Sequence, residues 1–140
     1  MAMVVDASIM LAWAFQEVDP RASEARERLR GEDAAVPSLW WFEVRNGLVM
    51  GERRGLLTEG RTARFLRELS RLALIVDGVP DDSGVLTLAR RGRLTVYDAS
   101  YLELAVRKDF PLATLDKALT DAARAEGVSL VSDTQQPRAC

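Results

Sequence analysis

Four acidic residues, Asp6, Glu43, Asp98 and Asp116, fall where carboxylates can act together, in a chain that contains no histidine. That absence excludes Ser-His-Asp triads, paired-histidine nucleases and every zinc site that needs imidazole. The single cysteine, Cys140, leaves no thiolate zinc site either. Hydrolytic chemistry here has to come from carboxylates, most naturally with a hard cation held by oxygen ligands. Clustered carboxylates raise one another's pKa unless a cation is present. The four together therefore suit Mg²⁺ or Mn²⁺, one or two ions that keep some of their waters. Three polar residues stand near the acids: Ser8 two positions after Asp6, Thr114 two before Asp116, and Asn46 on the helix face of Glu43 at i, i+3. Each acid also has an ordinary reading. Asp6, Asp98 and Asp116 are well placed to cap the helices after them, and Glu43 is a plausible solvent-facing residue beside an apolar stripe.

Short apolar runs alternate with helical patterns along the chain. Met3-Val4-Val5 reads as a strand ending at Asp6, followed by an apolar helix through Phe15. Asp19-Pro20 starts a charged helix that Gly31 stops. Ala34 to Pro37 is a second strand, and Ser38 is the expected cap of a helix from Leu39 to Met50. Thr58 to Ala73 follows as a helix, with Phe65, Leu69 and Leu72 on one face and Arg64, Arg67 and Arg71 on the other. Ala73 to Asp77 is a third strand, and Asp81 to Arg91 a helix ended by Gly92. Asp98 is expected to open the next helix, with Tyr101, Leu102, Ala105 and Val106 on its apolar face. The run around Leu112 is a fourth strand, Asp116 to Glu126 a helix, and Val128 to Val131 a fifth strand.

A helix of about ten residues runs ~15 Å, and four or five strand residues at ~3.3 Å each return the same distance. Asp98 and Asp116 should thus share one edge of the fold. Wholly apolar strands alternating with helices predict a parallel sheet of about five strands covered by helices on both faces. Ligands of such sheets bind beyond the carboxyl ends of the strands, where Asp6 and Asp116 both belong. The expected domain is residues 1–133, with a polar tail over 134–140.

At 140 residues and a net charge of −2, the composition is that of a globular domain, not of a protein that coats nucleic acid. Apart from Lys108 and Lys117, the basic residues are arginines, as a GC-rich genome also produces. No apolar run approaches a membrane span, no signal core follows the N-terminus, and no internal disulfide can form. A cytoplasmic protein with no membrane association is the expectation.

With those residues in view, the chain resembles the PIN-domain superfamily and, within it, VapC-type toxins of toxin–antitoxin pairs. The resemblance rests on Val4-Val5-Asp6-Ala7-Ser8, on Glu43 with Asn46 and Leu48, on Tyr97 to Ala105, and on Ala113-Thr114-Leu115-Asp116-Lys117-Ala118-Leu119. It implies metal-binding acids at Asp6, Glu43, Asp98 and Asp116, supported by Ser8, Asn46 and Thr114. It also implies Mg²⁺-dependent hydrolysis of RNA, a homodimer, and a cognate antitoxin that covers the acids. Three alternatives stand beside it. A phosphate-receiver domain would want an acidic pair after its first strand, where Asp6 stands alone, and Asp77 is poorly placed as acceptor. A haloacid-dehalogenase-type phosphatase would need an aspartate at Ser8. A PIN-like module without activity would bind a partner only.

Overall fold

The computed structural model describes residues 1–132. The elements run β1 (Ala2–Val5), α1 (Ala7–Ala14), α2 (Pro20–Arg28), β2 (Asp33–Val36), α3 (Trp40–Arg53), α4 (Glu59–Leu69), β3 (Leu74–Val76), α5 (Asp82–Gly92), α6 (Val96–Lys108), β4 (Leu112–Ala113) and α7 (Lys117–Ala125). All pairings are parallel, in the order β3-β2-β1-β4. The class is as expected, but the sheet has four strands and not about five. The expected fifth strand over Val128 to Val131 contributes a single parallel bridge, Leu112 to Leu130. It lies beside β4, which is itself only two residues long and too short to template a longer partner. The expected tail at 134–140, with Cys140, lies outside the described residues, as does Asp133.

Every residue of β1 is buried, so both of its faces are covered. The helices form two packed groups, α1 with α2 and α3, and α5 with α6 and α7. Helix α2 rests on β4, while α6 lies against β1 and β4. Removing the side chains Met3, Val4, Val5, Leu102, Leu104, Leu112 and Leu119 from water drives this arrangement. Gly47 lets α3 close on α1, since a β-carbon there would stand 2.5 Å from a Leu11 methyl. No helix among the described residues is long and apolar enough to cross a membrane.

Local signals account for most helix starts. Asp19 caps α2 through the Arg21 amide with Pro20 at the first position, Thr58 caps α4 and Asp81 caps α5. Helix α4 ends at Leu69, short of the expected Ala73; its Arg64 and Arg67, and Arg71 in the turn that follows, are exposed as a solvated face would be. Glu68 turns from that face toward Arg26 of α2, at 3.8 Å.

A charged clamp ties β3 to α6. Arg107 donates to buried Glu103 at 2.6 and 3.1 Å and reaches Asp77 after β3 at 2.5 Å. Asp77 is thereby engaged in structure. Arg107→Ala leaves the Glu103 charge buried without its partner, and such orphaned charges are costly. Because the guanidinium is about one-third exposed, the expected loss is on the order of 2 kcal/mol. Urea unfolding measures it, and Glu103→Leu in the Arg107→Ala background should recover much of it.

Candidate active site at the carboxyl edge of the sheet

Asp6 leaves β1 in extended conformation at the position that precedes α1, yet its side chain caps no helix amide. Its Oδ2 instead accepts hydrogen bonds from Ser8 Oγ at 2.7 Å and Thr114 Oγ1 at 2.8 Å. Those hydroxyls in turn accept the Leu115 and Asp116 amides, each at 3.0 Å. Asp6, Ser8 and Thr114 thus knit the ends of β1 and β4 together. Ser8 and Thr114, expected beside the acids from their spacing, both have a defined contact there.

Asp116 is the cap of α7, its Oδ2 accepting the Leu119 amide at 2.8 Å. One oxygen is committed to the helix and the other is not. Asp98 departs from expectation. Helix α6 begins two residues earlier, at Val96, and Thr95 is its cap, accepting the Asp98 amide at 3.1 Å. A threonine hydroxyl in front of a helix competes well for that position. The Asp98 carboxylate is consequently released from capping and projects from the first turn, where the helix dipole favours a negative charge.

Glu43 stands in the first turn of α3. That helix starts after a turn over Pro37 to Leu39, and the expected cap Ser38 contributes its carbonyl to the Trp41 amide with no side-chain cap formed. Glu43 Oε1 accepts the Tyr101 phenol at 2.6 Å. By its spacing in sequence Tyr101 belongs to the apolar face of this helix. Its spacing of i, i+3 from Asp98, which puts both on one side of α6, was the available signal. Asn46 is exposed and bonds to none of the four acids among the described residues. Asp121 pairs with Lys117 at 2.9 Å on the open surface of α7, as a solvated acid would.

Three of the acids, Asp6, Glu43 and Asp98, are shifted by burial and by acidic neighbours of the set. Burial raises the Asp6 pKa, with the Ser8 and Thr114 hydroxyls opposing and Asp116 adding to the rise. Burial also raises Glu43, against the Tyr101 hydrogen bond and together with the charges of Asp6 and Asp98. Asp98 is raised by burial and then by Asp6 and Asp116. Among the described residues no arginine or lysine forms an ion pair with any of the four. Carboxylates that are buried, as Asp6 is, or partly buried, as the other three are, with no cationic side chain paired to them among the described residues, match a hard divalent ion in kind. They are coupled across the edge and not clasped at one point, since among the described residues no three acids stand at the spacing of a single ion's ligands.

A parallel α/β sheet with this carboxylate edge is the architecture of a known family. The PIN domain model matches residues 3–125, and the chain belongs to that family. Its relatives are of the VapC type. Ribonuclease VapC3 of Pyrobaculum aerophilum is 35% identical over 126 residues, covering 86% of this chain and 94% of its own length. Ribonuclease VapC9 of Mycobacterium tuberculosis is 33% identical over 127 residues, covering 89% and 93%. The crystal structure of PAE2754 from Pyrobaculum aerophilum aligns with a TM-score of 0.70 at 28% identity, over 96% of this chain and 95% of that one. Membership of this family removes the phosphate-receiver and dehalogenase alternatives.

Proposed function

We propose that this chain is a metal-dependent endoribonuclease and the toxin of a type II toxin–antitoxin module, working in the cytoplasm, with residues 1–133 as its nuclease domain. The observation that carries this reading is the set of carboxylates at the sheet edge, with Asp6, Glu43 and Asp98 each raised in pKa by burial and by acidic neighbours of the set, in a chain whose relatives bear ribonuclease names. Asp6, Asp98 and Asp116 would hold Mg²⁺ or Mn²⁺, as one or two ions, with Glu43 completing the set. When bound, such a cation supplies a water of lowered pKa and neutralises charge at the scissile phosphate.

The protein's own groups do the rest. Ser8 and Thr114 fix the Asp6 carboxylate by one oxygen, leaving the other for ligation. Asp116 is fixed in the same way by the Leu119 amide. Glu43, whose pKa burial and its acidic neighbours raise, suits a group that orients the attacking water and accepts its proton. No side-chain nucleophile is required. Asn46 enters as a supporting residue from the exposed side of α3.

Sequencing of RNA ends after induced expression tests the reading, with Asp98→Asn as control. Discrete new ends that vanish in the variant are expected. The same ends at the same frequency with Asp98→Asn would remove the assignment. A small upstream gene encoding a DNA-binding N-terminus is the expected source of the antitoxin, which would cover the acids and offer them a basic residue.

The proposed homodimer finds support on α3. Of the four aromatics there and on α1, Trp40 is buried and donates to Met10 Sδ, and Trp13 is partly buried against the core and donates to the Ala22 carbonyl. Trp41 and Phe42 are 49% and 69% exposed and pack edge to face, with Arg45 laid over Trp41 at 4.2 Å. Exposed aromatic rings with an arginine are the composition of interface centres. Trp41→Glu with Phe42→Glu is expected to turn a dimer into a monomer in light scattering. A monomeric wild-type protein at tens of micromolar would remove the proposal.

A further inference from the structure

We infer that Tyr101 is a positioning residue of this site, setting the Glu43 carboxylate through its phenolic hydroxyl. The inference rests on the metal-dependent reading above. Three observations carry it. Tyr101 is completely buried, so its ring is locked by packing and its hydroxyl has one place to point. That hydroxyl donates to Glu43 Oε1 at 2.6 Å, joining helices α6 and α3 across 58 positions of sequence. The phenol also feels the Asp6 charge and the Ala7 amide, so it stands between the end of β1 and the start of α3.

The consequence concerns Glu43. Asp6 and Asp116 are held by hydroxyls or a helix amide at the sheet edge, whereas Glu43 sits on a long, half-exposed side chain with three rotatable bonds. Among the described residues Tyr101 is its only side-chain donor, and the second oxygen, Oε2, has none and is not sealed in the interior. A rigid donor on one oxygen selects one rotamer and leaves the other oxygen as the ligand or base. Partners of this kind, one step behind a ligating carboxylate, typically govern metal affinity by about 10- to 100-fold. A phenylalanine would fill the same volume, so packing alone does not demand a tyrosine here.

Calorimetric titration with Mn²⁺ tests this on four proteins: wild type, Tyr101→Phe, Glu43→Ala and the double variant. Tyr101→Phe should weaken Mn²⁺ binding by about tenfold or more, and Glu43→Ala by at least as much. In the Glu43→Ala background, Tyr101→Phe should add nothing, because its effect runs through the missing carboxylate. Equal losses in both backgrounds would mark Tyr101 as a packing residue and overturn the inference. So would an unchanged affinity in Tyr101→Phe beside a wild type that binds Mn²⁺. A wild type that takes up no Mn²⁺ overturns the metal reading and this inference with it. Glu43→Ala reaches the same bond from the exposed side, so the comparison holds even if one variant loses stability.

Discussion

Asp6→Asn should lower RNA cleavage by about a thousandfold or more while raising the melting temperature of the protein without added cation. The first half follows from the loss of a charged ligand. A bound cation contributes several kcal/mol of charge stabilisation, and each ~1.4 kcal/mol is tenfold in rate. The second half follows from where Asp6 sits. It is 5% exposed, and burial outweighs its two hydroxyl donors in setting its pKa, so the folded protein holds its charge at a cost. Asparagine keeps an oxygen for Ser8 and Thr114 and removes the charge. Single-turnover cleavage and a thermal melt, run on one preparation, check both halves. A variant that keeps most of the wild-type rate would take Asp6 out of the chemistry. A variant that melts lower would show that the hydroxyl pair needs a carboxylate.

This opposition between stability and activity bears on how much of the site was readable in the residues. Asp6 and Asp116 were legible because each follows a short apolar strand in a strictly alternating chain, and parallel topology then forces both onto one edge. Ser8 and Thr114 were legible for the same reason, lying within two positions of those acids. The start of α6 was not. Thr95 and Asp98 are both good caps, three positions apart, and local propensity alone does not choose between them. The hydroxyl of Thr95 took the cap, and the Asp98 carboxylate, though still within reach of Thr95, was not committed to capping. The Glu43 contact was hidden for a different reason. It is a single hydrogen bond between α3 and α6 across 58 positions of sequence, which no local pattern encodes, and a tyrosine among leucines and alanines reads first as core. The fifth strand failed through length: the run Val128 to Val131, apolar at three of its four positions, is read as a strand, but β4 offers it two residues to pair with.

A divalent cation should raise the stability of this protein more at high pH than at low pH. Asp6, Glu43 and Asp98 all have folded pKa values above the ordinary carboxylate range. With these raised values the folded state binds more protons than the unfolded chain, so stability falls as pH rises. Their contribution is fully present below the unfolded carboxylate pKa of ~4 and is lost as pH climbs through the raised values. Asp19 runs the other way, since the hydrogen bond from Arg21 lowers its pKa. Stability from that pair is present above ~4 and lost on acidification. The cation-free protein should therefore be most stable on the acid side of neutrality. Ligation requires ionised carboxylates, so the cation competes with protons at low pH and not at high pH. At about 100 times its dissociation constant it adds ~2.7 kcal/mol. Melts between about pH 5 and pH 8, with and without Mn²⁺, should show curves that diverge with rising pH, and Asp6→Asn should narrow the gap. A stabilisation by Mn²⁺ that is the same at every pH, or that survives intact in Asp6→Asn, would place the ion somewhere other than this edge.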